Sequence, residues 1–171
     1  GQAPERNAIN PNTGQAPFFF LPTEDQWYKA AYFNPELNDT GGYYLYATQS
    51  NTVPTNTPST GGGNEANLAN NFIFYTTQSK VYDPLTNYLT DVGTFSQSRS
   101  FYGTTDQAGL VYEWNDLNAT LSPLRGLRGG YWFSAGQSAV ATTYSISTID
   151  RESSDAGFRI AAVDPLTVLT L

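Results

Sequence analysis

The sequence predicts an α+β domain that is rich in loops and modest in regular structure. Three observations carry this. The stretch from Leu21 to Pro35 holds one well-formed helix signal. Several short β-prone runs follow it, each bounded by glycine or other turn residues. The composition combines 12 Tyr, 10 Phe and 3 Trp with only 13% charged residues. Large rings suit irregular loops that must be pinned to a core, whereas a helical bundle would be richer in Leu, Glu, Lys and Ala. At 171 residues the chain fits one domain with a sizeable core.

Residues 1–17, GQAPERNAINPNTGQAP, are polar and rich in Pro and Gly, and read as an arm or loop. Residues 18–163 form the single domain, and residues 164–171 a C-terminal strand or tail. Phe18 to Leu21 reads as a short buried strand. Thr23 is an N-cap, and Gln26 three residues later completes a capping box. Glu24 and Asp25 lie in the first turn, where the helix dipole favours negative charge. Trp27, Ala30 and Ala31 repeat at i, i+3 and i+4 and mark the buried face. Asn34-Pro35 stops the helix, because a residue before proline resists the helical region.

From Asn38 to Asn71 the chain reads mostly as loop, with Tyr43, Tyr44 and Tyr46 as anchors. NFIFYTTQ, Asn71 to Gln78, reads as a strand, and DVGTF as a short strand or turn. FYGTTDQAGLVYEWNDL places a turn at Tyr102-Gly103 and an apolar run that ends at Glu113-Trp114. GLRGGYWFS and GFRIAAV read as short strands, with a weakly alternating strand in ATTYSISTI between them. The tail PLTVLTL is β-prone: a strand paired within the domain, or an edge offered to a partner.

Five blocks, LPTEDQW, VGTF, YGTTDQAGLVYEW, LRGGYW and GFRIA, occur in this order. Together they resemble the formylglycine-generating-enzyme family, also called the sulfatase-modifying-factor domain. Its blocks read close to LPTEAEWE, PVGSF, GLYDMHGNVWEW, LRGGSW and GFR. The resemblance spans Leu21 to Ala161 and implies a C-type-lectin-like architecture. Family members carry a further stretch before the LPTE block. The resemblance therefore implies a domain shortened at its N-terminus, or one completed by another chain.

The resemblance also implies what chemistry is missing. The formylglycine-generating type holds copper with two cysteines just after the LRGG block. Aligned on Arg128-Gly129-Gly130, those positions fall at Ser134 and Ala139. The sulfoxide-synthase type holds iron with histidines. This chain has no Cys and no His, so the expectation is a non-enzymatic, divergent member. Zinc, copper and non-haem iron sites are disfavoured for the same reason. The carboxylates Glu24, Glu65, Asp106, Glu113, Asp116, Asp150, Glu152 and Asp155 show no pair spaced for acid–base work, and read as caps and surface charge. Hard, oxygen-ligated ions remain. Family members often bind calcium near the GNVWEW block, and although Leu110 takes the Asn position here, Glu113, Asn115 and Asp116 are retained as oxygen donors. No other cofactor is expected.

A net charge of −7 without a basic cluster argues against nucleic acid, and no apolar run is long enough to span a membrane. The polar, weakly charged composition resembles that of extracellular or cell-surface proteins. The first residue is Gly, as expected of a processed or trimmed product. Sequons occur at Asn38 and Asn118. Three functions compete. The first is a non-enzymatic binding or structural domain that assembles with itself or with a protein partner. The second is a diversified ligand-display protein presenting Tyr131, Trp132, Ser134, Gln137 and Ser138. The third is an enzyme of unknown chemistry. Carbohydrate is a further candidate ligand, with Tyr43, Tyr44, Tyr46 and Trp132 as stacking rings, although such rings equally serve as core anchors. Within GLRGGYWFSAGQSA, the glycines are expected to permit close packing, Arg128 to meet a buried carboxylate or carbonyl, and Tyr131 and Trp132 to anchor the strand.

Overall fold

A computed structural model describes residues 8–58 and 61–162. The first seven residues of the expected arm and the tail PLTVLTL lie outside the described residues.

Phe19–Phe20 forms β1, and its antiparallel partner is Ala161–Ala162, β8. The strand is where the sequence places it, but it is not buried: Phe18 and Phe19 are 46% and 60% exposed. A two-stranded ribbon at the rim has only one neighbour to lean on, so its rings stay partly in water.

Helix α1 spans Glu24–Tyr32. Its capping box is reciprocal: Thr23 Oγ1 accepts from Gln26 N at 3.2 Å, and Gln26 Oε1 accepts from Thr23 N at 3.0 Å. Trp27, Ala31 and Tyr32 form the buried face, and Ala30 is only half-buried. The helix ends ahead of Asn34-Pro35 because Phe33 is already extended, with φ −77° and ψ 135°. Phe33–Asn34, β2, then pairs antiparallel with Gly42–Tyr43, β3.

The main sheet has four strands: β4 (Tyr112–Asn115), β5 (Leu124–Arg128), β6 (Ser145–Thr148) and β7 (Ala156–Phe158). Their order is β6-β5-β4-β7, antiparallel except for β7, which runs parallel to β4. The register sets Glu113 opposite Arg128 and Asn115 opposite Gly126. Strand alternation therefore puts these four residues on one face, the face that meets α1 through Trp27 and Glu24. Only glycine fits at 126, since a Cβ there would lie 2.3 Å from Asn115 Oδ1.

The core gathers Trp27, Tyr32, Tyr46 and Leu68 with a set of alanines. Around it, long loops have only isolated bridges such as Thr55 to Glu65 and Asn67 to Gly109, and side-chain amides satisfy part of the remaining backbone. Asn56 Nδ2 donates to the carbonyls of Leu68 (3.1 Å) and Ile73 (2.5 Å), Asn67 Nδ2 to Tyr88 O (2.8 Å), and Asn70 Nδ2 to Pro54 O (2.7 Å). Asn67 is 1% exposed. Buried carbonyls require such partners.

Three sequence expectations are corrected. NFIFYTTQ is not a strand. Asn70–Phe72 is a 3-10 turn, and Phe74 and Gln78 close a loop in which Gln78 N donates to Phe74 O at 2.9 Å. Asn71, Phe72 and Gln78 all have positive φ, which no strand tolerates. Second, β5 ends at Arg128, because Gly129 and Gly130 turn the chain with φ of 90° and 73°. Tyr131 and Trp132 therefore sit in the turn that follows rather than anchoring the strand. Third, GFRIAAV is split into β7 and β8.

Candidate functional site

Four family blocks meet in one ion-pair network between α1 and the sheet. Arg128 Nε donates to Glu24 Oε1 at 2.6 Å, Nη2 pairs with the same oxygen, and Nη1 serves the carbonyls of Ala141 (2.6 Å) and Thr143 (2.9 Å). The expected partners of Arg128, a carboxylate and carbonyls, are both present. Asn115 Nδ2 donates to the other Glu24 oxygen at 2.6 Å. Glu113 accepts from Trp27 Nε1 at 2.6 Å and from Arg159 Nε and Nη2, each at 2.5 Å. Asp116 pairs with Arg125 at 2.7 Å, and Asp155 with Arg151. The carboxylates are thus more than surface charge, since Glu24, Glu113 and Asp116 tie elements together, the latter two from beneath the surface.

This network also places the expected calcium donors. Both Glu113 oxygens serve Arg159, Asn115 Oδ1 accepts from Leu117 N at 3.1 Å, and Asp116 Oδ1 serves Arg125. The Glu113 oxygens and Asn115 Oδ1 are thus already hydrogen-bonded, and Asp116 is ion-paired. Among the described residues no group of three or more acidic side chains converges on one point. Leu110, at the family's Asn position, is buried and has φ 64°, a left-handed conformation that Asn adopts far more readily than Leu.

The two positions aligned with the family's cysteines are interior. Ala139 is fully buried, and its carbonyl accepts from Tyr32 OH at 3.3 Å. Burial raises the Tyr32 phenol above its ordinary pKa, and nearby Arg128 offsets part of the rise. Ser134 is 6% exposed and shapes a turn: its Oγ accepts from Tyr131 N at 3.2 Å, and its carbonyl accepts from Ala69 N at 2.8 Å. Ser134 is therefore part of the frame and does not face outward as a display residue.

The other expected surface residues fall into two groups. Tyr43 is half-exposed and packs on Tyr28 and Phe33, at centroid distances of 5.3 and 5.0 Å, with Tyr44 half-buried beside it. Trp132 belongs to a different cluster, stacked on Tyr88 (4.8 Å, 8°) and Tyr82 (6.3 Å, 15°) and packed against Phe74. Tyr131 stands at the edge of this second cluster, against Tyr112. Burial raises its phenol pKa, and Asp155 adds to the rise.

Gln137 is exposed and opens onto a cavity of about 660 Å³ that the sequence did not reveal. Its walls come from three separate segments: 53–57, 69–72 and 133–137. Gly136 lets them close together, because a Cβ there would meet Val53 Cγ1 at 2.1 Å. Asn70 fastens two of the segments, donating to Pro54 O and accepting from Gly136 N at 2.9 Å. Phe72, with φ 63°, is held 78% exposed at the rim. A left-handed non-glycine residue costs about 1–3 kcal/mol, and Asn71 beside it has φ 53°. The signal available in the sequence was Asn71 itself, a residue type enriched at positive φ.

A solved structure shares this architecture. The crystal structure of CarF matches with a TM-score of 0.56 and 22% identity, covering 91% of this chain and 51% of that one. Treponema denticola variable protein 1 matches with a TM-score of 0.41 and 20% identity, over 86% of this chain and 50% of that one. The chain thus spans about half the length of these solved relatives. No curated protein matches it. The family model described as the sulfatase-modifying factor enzyme 1-like domain matches residues 6–163, nearly the whole chain and all five sequence blocks, and the protein belongs to that family.

Proposed function

We propose that this domain is a non-catalytic binding module, of extracellular or cell-surface location, that meets its ligand at the cavity beside the Tyr131 to Gln137 turn. One contrast supports the reading best. The positions that carry sulfur in the enzymes are a turn-forming serine and a buried alanine, neither able to supply a thiolate. The neighbouring cavity, in contrast, is open and within the usual size of ligand sites. The paired carboxylates Glu24, Glu113 and Asp116 serve arginines, which favours a structural role for them over an acid–base one.

Two measurements test this. Incubated with a cysteine-containing peptide, copper and oxygen, the protein yields no peptide aldehyde by mass spectrometry; aldehyde formation would end the non-catalytic reading. In a fragment screen followed by nitrogen–proton correlation NMR, hits shift the amides of residues 53, 55–57, 69–72 and 133–137. Hits confined to other surfaces would remove the site.

A further inference from the structure

We infer that the cavity bounded by Asn71, Phe72, Phe133 and Gln137 takes a neutral saccharide. The inference rests on the binding reading above and names its ligand class.

The lining carries no Asp, Glu, Lys or Arg. A charged ligand would find no counter-ion there, and an anion would also meet a chain of net charge −7. Half the lining is amide or hydroxyl: Thr55, Asn56, Thr57, Asn70, Asn71 and Gln137. A purely apolar ligand would strand those groups away from water. Asn56 and Asn70 are occupied with backbone. The side-chain amides of Asn71 and Gln137 make no hydrogen bond among the described residues and open onto the cavity. Each terminal amide offers a donor and an acceptor. A sugar hydroxyl offers the same pair in reverse.

The rings supply the second half of the match. Phe72 and Phe133 line the cavity and are 78% and 45% exposed. Phe133 is braced from behind by Phe74 at 5.3 Å and Trp132 at 5.4 Å, so the ring is positioned before a ligand arrives. A flat apolar ring between uncharged amides suits a pyranose, which has a C–H face and a hydroxyl rim. The pair differs from the tyrosines expected from the sequence, since Tyr43 and Tyr44 lie outside this lining and Trp132 serves as the brace.

Isothermal titration with cello-, malto- and chito-oligosaccharides tests the inference, with an oligogalacturonate and an uncharged Gly/Ser/Asn peptide run in parallel. At least one neutral oligosaccharide binds saturably and shifts the side-chain amides of Asn71 and Gln137 in NMR. Phe133→Ala weakens it about tenfold and Gln137→Ala several-fold; Gln137→Ala leaves the melting temperature unchanged because its side chain is exposed, and Phe133→Ala, which also loses ring contacts to Phe74 and Trp132, is titrated well below its own melting temperature. No saturation by any neutral oligosaccharide, binding of the oligogalacturonate or the peptide alone, or full affinity in Phe133→Ala would overturn the inference. If fragments map to the cavity while sugars fail, only the ligand class falls; if both fail, the binding site falls with it.

Discussion

Arg128 concentrates more of the fold than any other single side chain described. Its guanidinium serves Glu24 and two carbonyls, and lies over the rings of Tyr28 and Tyr144 at 5.0 and 5.4 Å. A lysine offers a point charge and cannot hold three acceptors in that planar spread. Arg128→Leu is expected to cost about 3 kcal/mol in urea denaturation. That is the lower end for breaking a buried pair, because the Glu24 side chain retains 25% exposure and is partly screened. Arg128→Lys recovers only a minor part of the loss. A change below about 0.5 kcal/mol for Arg128→Leu, the level of an ordinary surface substitution, would mean that the network does not support the sheet.

At the scale of elements, α1 depends on its capping box. Thr23→Ala removes the acceptor for Gln26 N and should cost about 1 kcal/mol in thermal or chemical unfolding; Thr23→Ser should restore most of it. The helix was legible because all its signals are local: cap, box, first-turn acids and spacing lie within ten residues. Arg128 was legible only as a side chain in need of acceptors, since its carboxylate partner Glu24 lies 104 residues away in the sequence. NFIFYTTQ was not, because its conformation is set from outside. Asn56, well upstream, takes the Ile73 carbonyl and breaks any strand ladder there. The cavity was hidden still more deeply, since its three walls are brought together only by the folded chain. Tyr131 and Trp132 were rightly singled out as anchors, but their anchoring is to other rings after the strand has ended. Ser134 was read as outward-facing because a serine beside exposed rings gives no local sign that its hydroxyl is spent on a turn.

For the whole molecule, buried phenols set the response to alkali. Burial raises Tyr32 above its ordinary pKa of 10.0, and Tyr46, Tyr75 and Tyr131 shift the same way, each chiefly through burial. A group whose folded pKa lies above its unfolded one contributes stability that is complete below the unfolded value and disappears as pH climbs through the folded one. The melting temperature should therefore hold from neutral pH to about 10 and fall beyond it, and Tyr32→Phe should flatten that fall. A melting temperature that stays level well above pH 10.0 would contradict the burial of Tyr32. The asparagine ties that replace sheet ladders in the loops carry a different liability. Slow hydrolysis of a side-chain amide turns a donor into a carboxylate, so deamidation of Asn67 would set a negative charge against the Tyr88 carbonyl in the interior. Burial at 1% exposure shields Asn67 from water and holds its backbone still, so chemical ageing would reach this tie only after the surrounding loops open.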